Sequence, residues 1–232
     1  MTSRLMLLLL LCLSFFQPGL AQDVRKANLQ ELNEKGFRVA PSLPIGGTSA
    51  RKLRPESEIE SRLKALRCYV LWVAAPDPEK AGTFKKLALG KYSNWLTDEE
   101  KQVLALEQSD ANQRYLDQIG WQIENMWALA WVLGFQHEPD LFGQVQGDLA
   151  RDLVFKFSGK GTFQTRKTEE VIRLEDLFYC AHNAVRSAQN GAKTVPFGYD
   201  PIAEGGGVHE RRHALTWCLS PGVSWEDTDL ST

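Results

Sequence analysis

The stretch Asn112–Gly134, NQRYLDQIGWQIENMWALAWVLG, decides the fold. Leu116, Ile119, Ile123, Met126, Ala130 and Leu133 recur at alternating steps of three and four, which places them on one stripe of an α-helix. Trp121, Ala128 and Trp131 form a second stripe. A helix apolar on two sides must be covered on two sides, so this one belongs at the centre of a helical array. Gly134 is its expected C-cap, because glycine enters the left-handed conformation without a Cβ clash.

Helix signals continue outward on both sides. Pro55 at a first helical position, with Glu56 and Glu58 in the first turn, opens a helix whose face is Ile59, Leu63, Leu66, Val70 and Val73. That helix stops at Ala75–Pro76, and a weaker segment follows near Glu79–Leu89. Thr97 and Glu100 form a capping box leading into Lys101–Glu107. Thr168–Glu170 starts a helix with Val171, Leu174, Leu177, Phe178, Ala181 and Val185 on its face. Val208–Leu219 closes the set, and Asp23–Lys35 gives a short amphipathic helix at the other end. Between Gly36 and Pro55, Pro41 and Pro44 forbid a helix, so VAPSLPIGGTSARKLRP (39–55) is expected as a long loop draped over the helical body. Alternation in LVFKFSGKGTFQT predicts one small β-hairpin near 153–164. Gly205–Gly207 is expected as a flexible hinge before the last helix. The 3.6-residue period dominates, so the expected fold is mainly α: a single-domain orthogonal helical array over 22–232.

Composition agrees with a packed domain. Of 232 residues, 43% are hydrophobic and 24% charged, which excludes a disordered or collagenous chain. Lys and Arg number 27 against 29 Asp and Glu, so no basic excess exists to neutralise a phosphate backbone, and nucleic acid is not an expected partner. Residues 1–21 have the pattern of a signal peptide: Arg4, the apolar run Leu5–Phe16, Pro18, then Gly19 and Ala21 ahead of Gln22. The run is too short to span a bilayer, and no later stretch is long enough, so an exported protein, periplasmic or secreted and without an integral membrane span, is expected. Cys68, Cys180 and Cys218 remain. Their odd number and apolar surroundings predict buried thiols, with one bridge as the alternative pairing.

The sharpest chemical pattern is His209-Glu210-Arg211-Arg212-His213, which fits H-E-x-x-H. On a helix, residues four apart share a face, so His209 and His213 can bind one Zn²⁺ while Glu210 polarises its water. Thr216 and Leu219 stand where the long metalloprotease form has Gly and His, and two arginines inside the motif repel a divalent cation. The favoured reading is therefore structural, with Glu210, Arg211 and Arg212 in ion pairs between helices. Arg212 aligns with Val208 and Leu215, so its stem is expected indoors with a carboxylate partner. Glu124, on an otherwise apolar face, is the expected partner. If Glu124 has no partner there, burial raises its pKa, and it becomes a candidate general acid or base. His137 and His182 are isolated, and Trp72, Trp121, Trp127 and Trp131 are expected in the core.

In order along the chain, these residues resemble a bacterial family, the domain of unknown function numbered 4272. The resemblance is carried by Arg25-Lys26 through Leu32 and Gly36, then Leu43-Pro44. It continues through Arg54, Glu58-Ile59, Arg62 and Ala65-Leu66 to Trp121, Glu124, Trp131 and Leu133-Gly134. Arg166, Glu169-Glu170-Val171, Asp176 and Tyr179 follow, then Val208, Glu210-Arg211, Ala214-Leu215 and Trp217. Trp225 and Asp227 fit the tail loosely, and Cys218 replaces a usual Leu. The resemblance implies a fold without an established activity. It also implies that Glu210-Arg211, rather than the two histidines, is the shared part of HERRH. The expected function is a non-catalytic binding or interaction module for a protein or small molecule, with no cofactor favoured. The alternative is a zinc hydrolase using His209, His213 and Glu210. A metal-free enzyme with Glu124 as acid or base is a third reading.

Overall fold

Helix boundaries in the computed structural model, which describes residues 18–46, 51–156 and 164–232, follow the caps written in the sequence. The chain forms α1 (Pro18–Glu34), α2 (Glu56–Ala74), α3 (Pro78–Lys91), α4 (Asp98–Ala105) and α5 (Gln108–Tyr115), followed by α6 (Ile119–Val132), α7 (Gly147–Arg151), α8 (Thr168–Gln189) and α9 (Ala203–Cys218). No strand occurs among the described residues, so the fold is all-helical. The Asp77 side chain accepts from the backbone N–H groups of Glu79 and Lys80, and Pro78 starts α3. The Thr97–Glu100 capping box is present at α4. Gly134 takes φ +100°, and the bonds Phe135 N–H to Ala130 and Gly134 N–H to Trp131 close a Schellman turn.

In the array, α6 lies between α2 and α9, α8 lies between α9 and α1, and α3 flanks α2. All five residues of the expected α2 face and all six of the α8 face are buried. Three departures from expectation have local causes. A 3₁₀ turn at Leu116–Gln118 breaks the central helix. Leu116 is therefore 43% exposed, and α5 turns aside onto α2 and α3. Asp152–Lys156 form a π-helical turn instead of the first arm of a hairpin. Neighbouring Leu153 and Val154 are both buried there, which strand geometry forbids, since successive strand side chains face opposite ways. The remainder of that expected hairpin, 157–163, lies outside the described residues. The expected hinge is also absent: Gly205–Gly207 lie inside α9. The described part of α1 begins at Pro18 and includes the expected Ala21–Gln22 cleavage point. The rest of the signal pattern, 1–17, is outside the described residues. Among the described residues, no helix is long and apolar enough to cross a membrane.

The glycines serve close approach. A Cβ on Gly205 would sit 2.6 Å from Val185 Cγ1, and one on Gly206 would sit 2.5 Å from Trp121 Cη2. These two positions let α9 press against both α8 and α6. Inside an ordinary helix, Gly→Ala stabilises by roughly 1 kcal/mol. Gly206→Ala is expected to do the opposite and lower stability by about 1–3 kcal/mol, because the Trp121 ring must be displaced. Denaturant unfolding of the variant checks this, and a Gly206→Ala protein as stable as the parent would show the ring is not wedged there.

Candidate functional site

A helix turns about 100° per residue, so the five residues of HERRH face almost every neighbour of α9. Arg211 turns to α6. Its Nη2 and Nε donate to Glu124 Oε2 at 2.6 and 2.7 Å. Nη1 and Nη2 also donate to the carbonyls of Asp140 (2.6 Å) and Gly143 (2.9 Å). The guanidinium lies 4.8 Å from the Trp127 ring centroid. The backbone N–H of Val145 donates to Glu124 Oε1 at 2.7 Å. Glu124 is 2% exposed and Arg211 0%. Glu124 is thus paired indoors as expected, but with Arg211, and the pair anchors the 140–145 loop. A carboxylate with both oxygens engaged in this way is scaffold.

Arg212 turns to α8 and to the chain after α9. Its Nη1 lies 2.5 Å from His182 Nδ1, and its terminal nitrogens donate to the carbonyls of Leu230 (2.8 Å) and Ser231 (3.0 Å). The expected carboxylate contact is replaced by these carbonyls, an imidazole and the ring of Tyr179, 4.8 Å away. A guanidinium only donates, so His182 Nδ1 is an acceptor and its proton sits on Nε2. That Nε2 faces His209 Nδ1 at 3.4 Å. Burial, with Arg212 beside it, pushes the His182 pKa down to about 3. His209 is shifted downward for the same reasons.

His213 turns to the tail. Its ring lies 4.4 Å from Trp225, and its Nε2 donates to the Trp225 carbonyl at 2.9 Å. Burial pushes its pKa down to about 4. The donor set therefore does not fit zinc. His209 Nδ1 is directed at His182, His213 Nε2 at a carbonyl and Glu210 at Asn125, and the two rings of the motif are 6.5 Å apart. Among the described residues, no group of three His, Cys, Asp or Glu side chains is placed to hold a metal.

Glu210 is the residue of the motif left for chemistry. Asn125 Nδ2 donates to its Oε2 at 2.7 Å. Among the described residues no cation is within ion-pairing distance, and burial raises its pKa, with the negative charge of Glu124 adding to the effect. Glu210 and Asn125 line a cavity of about 380 Å³ between α6, α9 and the segment around Trp225. Trp121, expected in the core, forms part of its wall with Gln122, His213 and Trp225. Asn125 carries no motif and lies one residue past Glu124, so spacing does not single it out.

Further buried arginines repeat the pattern of Arg211. Arg25 binds Asp176 at 2.7 Å and the carbonyls of Leu43 and Pro44. Arg62 binds both oxygens of Glu100, at 2.7 and 2.9 Å, and the Trp95 carbonyl. Arg54 holds the carbonyls of Trp217, Ser220 and Val223, and stacks 3.9 Å from the Trp217 ring. Arg25, Arg54, Arg62 and Asp176 all belong to the quoted resemblance, but spacing could not show which of them pair. The three cysteines are buried free thiols, and burial raises each pKa, to about 11 for Cys68 and about 12 for Cys180.

Comparison with family models gives a match over residues 25–228 to the family described as Domain of unknown function (DUF4272). Neither curated proteins nor solved structures give a match.

Two outcomes follow from this geometry. Glu124→Gln leaves Arg211 charged and dry, and is expected to destabilise the protein by about 3–5 kcal/mol in denaturant unfolding. Replacing both partners by apolar residues, Glu124→Leu with Arg211→Met, should recover much of that loss. A Glu124→Gln variant of parental stability would show that Glu124 is not scaffold. His182 and His213 have folded pKa values of about 3 and about 4, below the ordinary 6.5. The unfolded chain takes up those protons first, so stability is complete above pH 6.5 and falls as pH drops below it. The slope approaches about 1.4 kcal/mol per pH unit for each histidine. A stability profile that stays flat from pH 7 to pH 5 would show that neither imidazole is buried in neutral form.

Proposed function

The chain belongs to the DUF4272 family, and from that premise we propose that it is a non-catalytic binding module that takes a small molecule in the Glu210 cavity. The observation that carries this reading is the contrast between Glu124 and Glu210, two carboxylates on facing helices. Glu124 has both oxygens engaged by Arg211 and the Val145 amide. Glu210 has only the Asn125 amide, and it lines a concavity flanked by Trp121 and Trp225. A concave wall with a few polar groups between aromatic rings suits ligand capture. Catalysis finds less support. Neither serine nor cysteine lines the cavity, and the Thr97 hydroxyl accepts from the Glu100 backbone N–H as a helix cap. The proposal includes export, on the pattern of Arg4, Leu5–Phe16, Gly19 and Ala21.

Binding is tested by ligand-observed NMR with a panel of small amines, alcohols, sugars, amino acids and carboxylic acids. Tryptophan emission serves as a second readout, since Trp121 and Trp225 border the cavity. At least one class should bind, and binding should disappear in Gln118→Trp, which fills the mouth from an exposed rim position and should leave the melting temperature unchanged. A panel with no binder, or binders indifferent to Gln118→Trp, overturns the proposal.

A further inference from the structure

The charged groups around the Glu210 cavity are carboxylates, and among the described residues no lysine or arginine lines it. Glu99, Glu210 and Glu226 line it, and among the described residues none of the three has an ion-pair partner, whereas the fourth carboxylate, Glu100, is taken by Arg62. Asn125 is 1% exposed, and its Oδ1 is buried without a hydrogen-bond donor. The orientation of that amide is fixed. Nδ2 donates to the Trp121 carbonyl (3.2 Å) and to Glu210 Oε2 (2.7 Å), and both of those partners only accept. Gln122 Oε1 is also buried without a donor. The proton of neutral His213 sits on Nε2 and is committed to the Trp225 carbonyl, which leaves Nδ1 as an acceptor. The wall thus offers negative charge and lone pairs, its donors are neutral hydroxyl, amide and indole groups, and no described lysine or arginine lines it. A buried acceptor without a donor is costly, and a ligand that brings N–H groups removes that cost.

These acceptors are spread around a volume of about 380 Å³ and do not converge on a point. That spread favours a ligand with several N–H vectors over a bare metal ion. The ring of Trp121 in the wall adds a surface that attracts cations, whereas the Trp225 ring already carries the Arg62 guanidinium, 4.1 Å from its centroid. We propose that the cavity binds a small organic cation, with an ammonium or guanidinium group held by Glu210 and Asn125. This inference rests on the cavity being a binding site and adds the chemical class of what it takes.

The test is calorimetric titration of the full chain with four compounds that share one alkyl group and differ in the head: n-butylguanidinium, n-butylammonium, n-butanol and n-butyrate. Calcium chloride is a fifth probe. Both cations should bind, and the alcohol, the carboxylate and calcium should not. Glu210→Gln should weaken cation binding about tenfold or more, because a charge-assisted hydrogen bond is lost. It should not shift the melting temperature, since a glutamine carbonyl still accepts from Asn125. Glu99→Gln at the rim should weaken binding only about twofold. Butanol or butyrate binding in place of the cations, with sensitivity to Gln118→Trp, would overturn the cation class while leaving the cavity a binding site. Preferential calcium binding, or cation binding unchanged in Glu210→Gln, would overturn it as well. No binding by any probe would overturn the inference, and the broader panel then decides whether the cavity binds anything.

Discussion

A guanidinium group taken out of water brings five N–H donors in need of acceptors, and this demand, unmet among the described residues at the Nε of Arg62 and of Arg212, organises the molecule. Arg25, Arg54, Arg62, Arg211 and Arg212 are all buried. Each holds backbone carbonyls at a helix end or in a connecting segment: Leu43 and Pro44, Trp217 at the end of α9 with Ser220 and Val223, Trp95, the 140–143 turn, and Leu230 with Ser231. Apolar faces bring the helices together, and the arginines fix where the loops lie. Four of these cations also meet a carboxylate, on Asp176, Glu58, Glu100 or Glu124. Tyrosine or tryptophan rings lie against all five. Neutral carbonyls, a counter-charge and a polarisable ring together make a dry site tolerable for a permanent cation.

The same demand separates scaffold from site on one helix. Arg211 and Arg212 consume the acceptors around them, including Glu124 and His182. Glu210 lies between the directions they take and faces a place where acceptors outnumber donors. The arrangement that locks the fold therefore leaves a local surplus of negative charge beside it. The H-E-x-x-H match arises from the same circumstance: α9 is enclosed on several sides, so polar residues are needed at several angles, and two of them happen to be histidines four apart.

Helices were legible because caps and periodicity are local. Thr97–Glu100 and Gly134 act within four residues of themselves, and the burial of the α2 and α8 faces follows from spacing alone. Features set by distant contacts were not legible. Gly205–Gly207 looks like a hinge until Val185 and Trp121 are seen pressed against it, and LVFK alternates like a strand although it turns as a π-helix. At the site, the burial of Glu124 against an arginine could be read from its apolar face, but the choice of Arg211 over Arg212 could not, since neighbouring residues on α9 point to different helices. Asn125 was hidden altogether, because an orphaned carbonyl oxygen has no signature in sequence.

The hold of Arg212 on Leu230 and Ser231, and of Arg54 on Ser220 and Val223, has a temporal consequence. Those carbonyls follow α9 in the chain, so they are made after every helix described. Until they arrive, two permanent cations lack their partners, and Trp217 has no Trp225 against it. The helices through Cys218 therefore gain these anchors only once a short stretch that forms no helix of its own has followed them.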